Sequence, residues 1–213
     1  MTLLSKEGRQ TRKLDTGPMV QPSFSPLPQH TGGPGRQMVV HSEELRMFLD
    51  LLDSPEIKQF LDRDRCYLAA DNYLLAAVFI YFKRAGLAAQ EFSVRNFWLG
   101  LYLAHDQEED EEPSKWELLP WALGTDWQSS CTSWIAEKNV LWRRMSYRSL
   151  VTKRQCEQVM AISASAGIWS RRRNHSHGGA RRSVDWEENF VPGGPLAGTP
   201  RCVRCDVGTK GPH

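Results

Sequence analysis

The chain has 213 residues, with 27 Lys+Arg, 25 Asp+Glu and five Cys. This length suits one globular domain plus tails. Its longest nearly continuous apolar run, residues 73–82, is ten residues long, about half of the roughly 20 needed to cross a bilayer, so no transmembrane helix is expected. The N-terminal residues show no secretory signal. These features predict an intracellular protein, nuclear and/or cytoplasmic, with no membrane partner.

Charge, glycine and proline divide the chain into three parts. Residues 1–37 carry a net charge of +3, residues 38–170 carry −5, and residues 171–213 carry +4. The middle part holds only three of the 12 Pro and four of the 16 Gly. Because the ends are poor in large apolar groups, they lack the burial that could offset chain entropy. We therefore predict a folded core over 38–172 between disordered basic tails at 1–37 and 173–213.

Two short amphipathic helices are predicted at the start of the core. Ser42 precedes two glutamates, the order of a helix N-cap and an acidic first turn, and apolar residues then recur at helical spacing over 43–53. Ser54 and Pro55 repeat the start signal, since proline at the first helical position loses no hydrogen bond. The second helix is short and carries Ile57, Phe60 and Leu61 on one face.

The most apolar segment predicts a central helix from Cys66 to Arg84. It is apolar almost all round, and its basic last residues, followed by Gly86, suit the negative end of a helix. Another helix is predicted from about Ser93 to Ala104, where large apolar residues again lie at helical spacing. It ends in an acidic run.

The rest of the core also lacks strand signals. The acidic run over 106–112 predicts a solvated loop because its carboxylates repel one another. A short helix is predicted over 114–123, and longer ones near 126–145 and 150–161. The last of these starts with the capping box Thr152-x-x-Gln155. No segment alternates at period two, so the predicted fold class is all-α.

The common signatures of enzymes are absent from the sequence. There is no P-loop, dinucleotide fingerprint, nucleophile elbow, kinase signature or zinc-protease motif. An active site would have to be assembled from distant positions in the chain. We therefore expect a protein that is not an enzyme and needs no cofactor.

The cysteines predict no disulfide framework but leave open whether the C-terminal segment binds a metal ion. Cys66, Cys131 and Cys156 lie in helical patterns, where reduced thiols pack as small hydrophobes, so no disulfide framework is expected. Cys202-x-x-Cys205 has the spacing of half a zinc site, and two possible partners are His175 and His177. The single Cys pair, the short His spacing and the Gly/Pro-rich surroundings favour two plain thiols in a flexible tail.

Two basic clusters, 171–173 and 181–182, could contact nucleic acid or act as a nuclear import signal. No helix-turn-helix or RNA-binding motif accompanies them. Nonspecific electrostatics or nuclear targeting is favoured, and no specific nucleic-acid partner is expected.

Five long blocks of the core share one resemblance. They are AADNYLLAAVFIYFKRAG at 69–86, NFWLGLYLAHDQEEDEE at 96–112, KWELLPWALG at 115–124, LWRRMSYRSLVTKRQCEQVMAI at 141–162 and IWSRRRNHSHGGARR at 168–182. In these blocks the chain resembles the Speedy/Ringo family of atypical activators of cyclin-dependent kinases. The segment 125–140 is less similar to the family.

The resemblance implies a fold and a function. Members of this family fold like a cyclin box, bind the kinase N-lobe through its C-helix and keep the kinase active without phosphorylation of the activation segment. The chain is therefore expected to form a one-to-one heterodimer with a cyclin-dependent kinase as a non-catalytic activator. A scaffold that binds a kinase without activating it is the alternative.

The resemblance also implies acidic contact residues. Asp64 and Asp71 match family positions implicated in kinase contact, where a carboxylate could replace part of the phosphate charge and accept hydrogen bonds from arginines. On one helix they would share a face, about 10 Å apart along the axis. Asp64 could equally cap the helix N-terminus, whereas for Asp71 the interface role is favoured over a merely solvated position.

Other conspicuous residues receive weaker assignments. Glu109 and Asp110 lie in the family's acidic stretch and are candidate kinase contacts, although a charge run is more often a solvated loop. The tryptophans of the core, including Trp116 and Trp169, are assigned to packing because they carry large apolar surfaces.

Overall fold

The computed structural model describes residues 40–109, 112–177, 192–196 and 202. The predicted N-terminal tail, 1–37, lies outside these residues. Within the described ranges the chain forms helices, turns and loops and no strand, which confirms the all-α fold class.

Eight α-helices form the described part of the domain. They are α1 Ser42–Leu52, α2 Pro55–Arg63, α3 Asn72–Ala85, α4 Val94–Glu108, α5 Glu112–Glu117, α6 Leu119–Leu123, α7 Trp127–Arg144 and α8 Lys153–Ile162. Short 3₁₀ turns lie at Ala89–Glu91, Gly167–Ser170 and His175–His177.

Several predicted helix ends are confirmed. Pro55 begins α2 after Ser54, and the hydroxyl of Ser93 accepts from a backbone N–H in the first turn of α4. In the capping box of α8, Thr152 Oγ1 accepts from the Gln155 N–H, and the Gln155 side chain accepts in return. Gly86 ends α3 with φ of 61°, a left-handed conformation that costs glycine little.

The central helix α3 is the core of the domain. Eleven of its 14 residues are buried, and α4, α7 and α8 pack around it. Trp98 on α4 and Trp134 on α7 are fully buried. The assignment of all tryptophans to packing is too broad, because 40% of Trp116 is exposed.

Several predicted boundaries are wrong. The cap of α1 is His41, and Ser42 is the first residue of the helix. The single helix predicted over 114–123 is divided into α5 and α6. Helix α3 begins at Asn72 rather than Cys66, because residues 64–71 form a loop before it. Helix α4 continues to Glu108, so Asp106 belongs to a helix and not to a solvated loop. Asp106 is mostly buried and accepts from Lys115 at 3.0 Å and from Lys138 at 2.5 Å, which links α4 to α5 and α7.

None of the helices in the described ranges combines the length and the apolar character needed to cross a bilayer.

Gly100 allows α4 to approach α3 closely. A Cβ at this position would lie 3.0 Å from Val78 Cγ1, closer than ordinary van der Waals contact. Gly100→Leu should therefore lower the free energy of unfolding by about 1–3 kcal/mol through overpacking. Urea unfolding followed by circular dichroism measures the change. Gly167→Leu is the matched control, since Gly167 has open space around its Cβ position; equal losses in both variants would contradict close α3–α4 packing.

Candidate functional site

The α2–α3 loop, residues 64–71, is organised around the carboxylate of Asp64. This carboxylate accepts from three backbone N–H groups, those of Leu68 at 2.9 Å, Ala69 at 3.3 Å and Ala70 at 2.8 Å. Only 9% of the Asp64 side chain is exposed. Its oxygens therefore hold the loop rather than face solvent.

Arg171 supplies the positive charge opposite Asp64. Its guanidinium donates to Asp64 Oδ2 at 3.0 Å and to the carbonyls of Leu61 at 2.9 Å and Ala70 at 2.8 Å. It also lies over the ring of Tyr67, 4.6 Å from the ring centroid. The side chain is 10% exposed, so both members of this ion pair are desolvated and depend on these bonds.

Asp71 and Glu109 share the second arginine, Arg173. Asp71 is the N-cap of α3 and accepts from the Leu74 N–H at 2.8 Å. Its other oxygen lies 2.9 Å from Arg173 Nε. The two terminal nitrogens of Arg173 donate to the two Glu109 oxygens at 2.9 and 2.6 Å, a bidentate pair. Arg173 therefore connects the start of α3 to the end of α4.

A cleft with a volume of about 400 Å³ opens beside this pair. We call it the acidic cleft. Its lining residues are Asp71, Tyr73, Leu74, Ala77, Glu108, Glu109, Val151, Lys153 and Cys156. Three carboxylates and one ammonium therefore border an apolar surface provided by α3, α8 and the segment before α8.

Burial controls the ionisation of the cleft side chains. It raises the pKa of Asp71, although the charge of Arg173 opposes this rise. Burial also raises the pKa of Glu108, and that of the Cys156 thiol to about 12. Because desolvation disfavours their charged forms, Asp71 and Glu108 would be stabilised by a further cation.

His105 supports the loop from the side of α4. It is fully buried, and its Nε2 donates to the Ala69 carbonyl at 2.7 Å. Burial lowers its pKa, so the imidazole is neutral in the folded protein.

Contacts with the core continue beyond residue 172. Arg173 Nε donates to the Tyr67 carbonyl at 3.1 Å, and Arg63 donates to the carbonyls of Gly194 and Pro195 at 3.1 and 3.0 Å. Residues of the C-terminal segment thus pack on both ends of the α2–α3 region.

Comparisons with known proteins find relatives of this chain. Residues 43–173 match the family model Spy1, described as a cell cycle regulatory protein. Speedy protein A of Rattus norvegicus is 42% identical over 177 residues, which cover 83% of this chain and 56% of that protein. Speedy protein C of Homo sapiens is 38% identical over 176 residues, covering 83% and 64%.

The chain belongs to the Spy1 family of cell cycle regulatory proteins. A putative speedy protein-like protein of Homo sapiens is a further relative, 34% identical over 140 residues, or 65% of this chain and 48% of that protein. The chain spans between about half and two thirds of the length of these relatives. The predicted Speedy/Ringo resemblance is confirmed.

The structure describes three of the four acidic residues that the resemblance singled out. Asp71 and Glu109 meet at Arg173 and line the acidic cleft. Asp64 follows the last residue of α2, so it neither shares a helix with Asp71 nor caps an N-terminus. Asp71 is the helix cap instead. Asp110 lies outside the described residues.

Sequence reasoning missed the role of the arginines in this Spy1-family chain. The composition of 171–173 predicts a basic surface, but only Arg172 is exposed, whereas Arg171 and Arg173 hold Asp64, Asp71 and Glu109. One sequence feature could have indicated a structural role for these arginines, namely that the family resemblance continues through residues 171–173. The cluster 181–182 lies outside the described residues.

Arg171→Met should destabilise the domain by about 3–5 kcal/mol, because it leaves the buried Asp64 carboxylate without its cation. Arg172→Met, next in the chain but exposed, should change stability by less than about 0.5 kcal/mol. Chemical unfolding of both variants measures the difference. If both variants were as stable as the unsubstituted protein, the buried pair would not be structurally important.

Because His105 is buried, we expect the folded protein to lose stability in acid. The folded-state pKa of His105 is lowered, so below about pH 6.5 the unfolded chain binds a proton that the folded chain does not. Stability is therefore complete above this pH and falls as the pH is lowered. His105→Gln should reduce the slope of unfolding free energy against pH between about 7 and 5.5 by up to about 1.4 kcal/mol per pH unit. An unchanged slope would contradict a neutral buried His105.

Proposed function

We propose that this Spy1-family protein binds a cyclin-dependent kinase one-to-one and activates it without phosphorylation of the kinase activation segment. The protein itself is proposed to be non-catalytic. Family membership supports a cell cycle regulatory role. The observation that carries the proposal is the acidic cleft, which combines carboxylates with an apolar surface large enough to receive part of a partner.

The carboxylates suit a cluster of arginines. In many kinases the phosphate on the activation segment is bound by arginines, through charge and through hydrogen bonds to its oxygens. Asp71 and Glu109 stand together at Arg173, and Glu108 lines the same cleft. The three carboxylates outnumber the guanidinium of Arg173 and the ammonium of Lys153, which leaves negative charge for guanidinium groups of a partner.

Asp71 has the strongest physical reason to accept a second cation. Burial raises its pKa despite the nearby Arg173, so the existing ion pair does not fully compensate its desolvation. An incoming guanidinium would lower the free energy of the charged form. In this proposal Asp71 is the carboxylate that substitutes for phosphate.

The other predicted acidic residues take different parts in the proposal. Asp64 contributes to the kinase interface by holding the loop that ends at Asp71, since its own oxygens are used within the loop. Glu109 contributes by orienting Arg173 against Asp71. Asp110, as a direct contact, stays a prediction from the resemblance.

Exposed apolar side chains beside the cleft support a protein partner. Leu150 is 78% exposed and Tyr147 is also largely exposed, and both precede Val151, which lines the cleft. Tyr73 on α3 is exposed at the same cleft. Apolar groups of this size beside a polar rim are typical of protein interfaces.

Asp71→Asn tests the phosphate-substitute role. Asparagine keeps the N-cap hydrogen bond to α3 but loses the charge. Activation of an unphosphorylated cyclin-dependent kinase should fall about tenfold or more, the scale of one charge-assisted hydrogen bond. Activation of the phosphorylated kinase should fall much less. Histone phosphorylation and complex formation by the purified full chain are measured together.

Asp62→Asn is the matched control, because Asp62 is an exposed acid on the nearby helix α2; it should leave activation unchanged. Equal loss with both kinase forms would contradict the phosphate-substitute role. A stable complex without activity would favour the scaffold, and the absence of a complex would overturn kinase binding.

A further inference from the structure

Three side chains of the types that bind metal ions come together at the α2–α3 loop from distant parts of the chain. They are Cys66 in the loop, His177 in the last 3₁₀ turn and Cys202 near the C-terminus. The two sulfur atoms and a ring nitrogen of His177 all lie within 4.8 Å of one another. Cys66 and His177 are far apart in the sequence, so the tertiary structure brings them together.

His177 carries the evidence that this convergence has a ligand. Its side chain is buried, with only 6% of the residue exposed. Its Nδ1 has no hydrogen-bond partner among the described residues. A buried polar nitrogen without a partner is costly and calls for an explanation such as an ion. Coordination to a metal would satisfy it.

The donor set and its spacing suit zinc. A tetrahedral site with zinc–sulfur bonds of about 2.3 Å and zinc–nitrogen bonds of about 2.0 Å places its donor atoms about 3.5–3.8 Å apart. The observed donors need to move by only about 1 Å to reach this spacing. Thiolate and imidazole ligands select zinc over magnesium and calcium, which prefer oxygen. Zinc needs no redox partner.

We propose that Cys66, His177 and Cys202 bind a structural zinc ion. Binding converts two thiols to thiolates and releases two protons, so the two negative sulfurs balance the charge of Zn²⁺. Cys205 has the spacing to Cys202 of a zinc half-site, but it lies outside the described residues. His175, the other histidine considered from sequence, is exposed and does not belong to the cluster.

The proposed site would join the C-terminal segment to the α2–α3 loop. Cys66 lies between Asp64 and Asp71, and His177 follows Arg171 and Arg173, which bind those two aspartates. A metal bond between the same two segments would reinforce the arginine contacts. The zinc site does not depend on the proposed kinase function, and its test uses no kinase.

The test uses the full chain, purified without chelator or histidine tag. Elemental analysis should find about one zinc per chain, and replacement by Co²⁺ should produce the visible absorption of tetrahedral, thiolate-bound cobalt. Removal of zinc by a chelator should lower the melting temperature. Less than about a tenth of a zinc per chain after incubation with Zn²⁺ would overturn the proposal, as would octahedral cobalt spectra.

Single substitutions assign the ligands. Cys66→Ser and Cys202→Ser should each weaken zinc binding at least tenfold, whereas Cys131→Ser, on α7 and away from the cluster, should bind as the unsubstituted protein does. His177→Ala should also weaken binding, while His175→Ala should not. Circular dichroism verifies that each variant is folded.

Two results would contradict the assignment. Unchanged zinc affinity in Cys66→Ser would mean that any metal is bound by the C-terminal residues alone. A disulfide between Cys66 and Cys202 in protein purified without oxygen, found by mass spectrometry of peptides, would mean that the two sulfurs meet for another reason.

Discussion

The charge of Arg171 is the constraint on which the candidate site depends. A guanidinium removed from water is stable only if its N–H groups and its charge are satisfied. Arg171 meets this requirement with the carboxylate of Asp64 and with backbone carbonyls at the end of α2 and in the α2–α3 loop. The loop conformation and the position of the C-terminal segment are therefore coupled through this one side chain.

This arrangement determines where the acidic cleft lies. Asp64 holds the loop through its backbone N–H groups, and the loop delivers Asp71 to the first turn of α3. Arg173, two residues after Arg171, then draws Asp71 and Glu109 together. Two of the three cleft carboxylates, Asp71 and Glu109, are thus held in place by hydrogen bonds, and this would reduce the ordering cost of binding the proposed partner.

The helical core could be predicted well from the sequence, because its signals are local. The apolar spacing, the Pro55 start, the Gly86 end and the Thr152–Gln155 capping box involve residues within one or two turns of each other. The predicted bounds of α3 and α4 are wrong where a residue that is distant in the sequence binds the backbone or side chains. Residues 66–71 are apolar enough for a helix, but Asp64 and Arg171 bind their backbone groups in a loop.

The candidate site was only half predictable for the same reason. The resemblance identified Asp71 and Glu109 by their types and positions, but it did not reveal that one arginine joins them. An arginine run following a tryptophan has the composition of a solvent-exposed basic cluster. Which arginines of such a run are buried depends on the surface against which the chain packs. The composition of the run does not specify that surface.

The sequence by itself determined the family, the all-α class and most helix ends, since side-chain periodicity and capping act between near neighbours in the chain. Only the tertiary structure decided which charges are buried and which cysteines and histidines meet. Cys66, His177 and Cys202 are brought together by packing of the C-terminal segment on the core. The physical reason is that burial and ligand geometry depend on distances in space, which the order of residues does not specify.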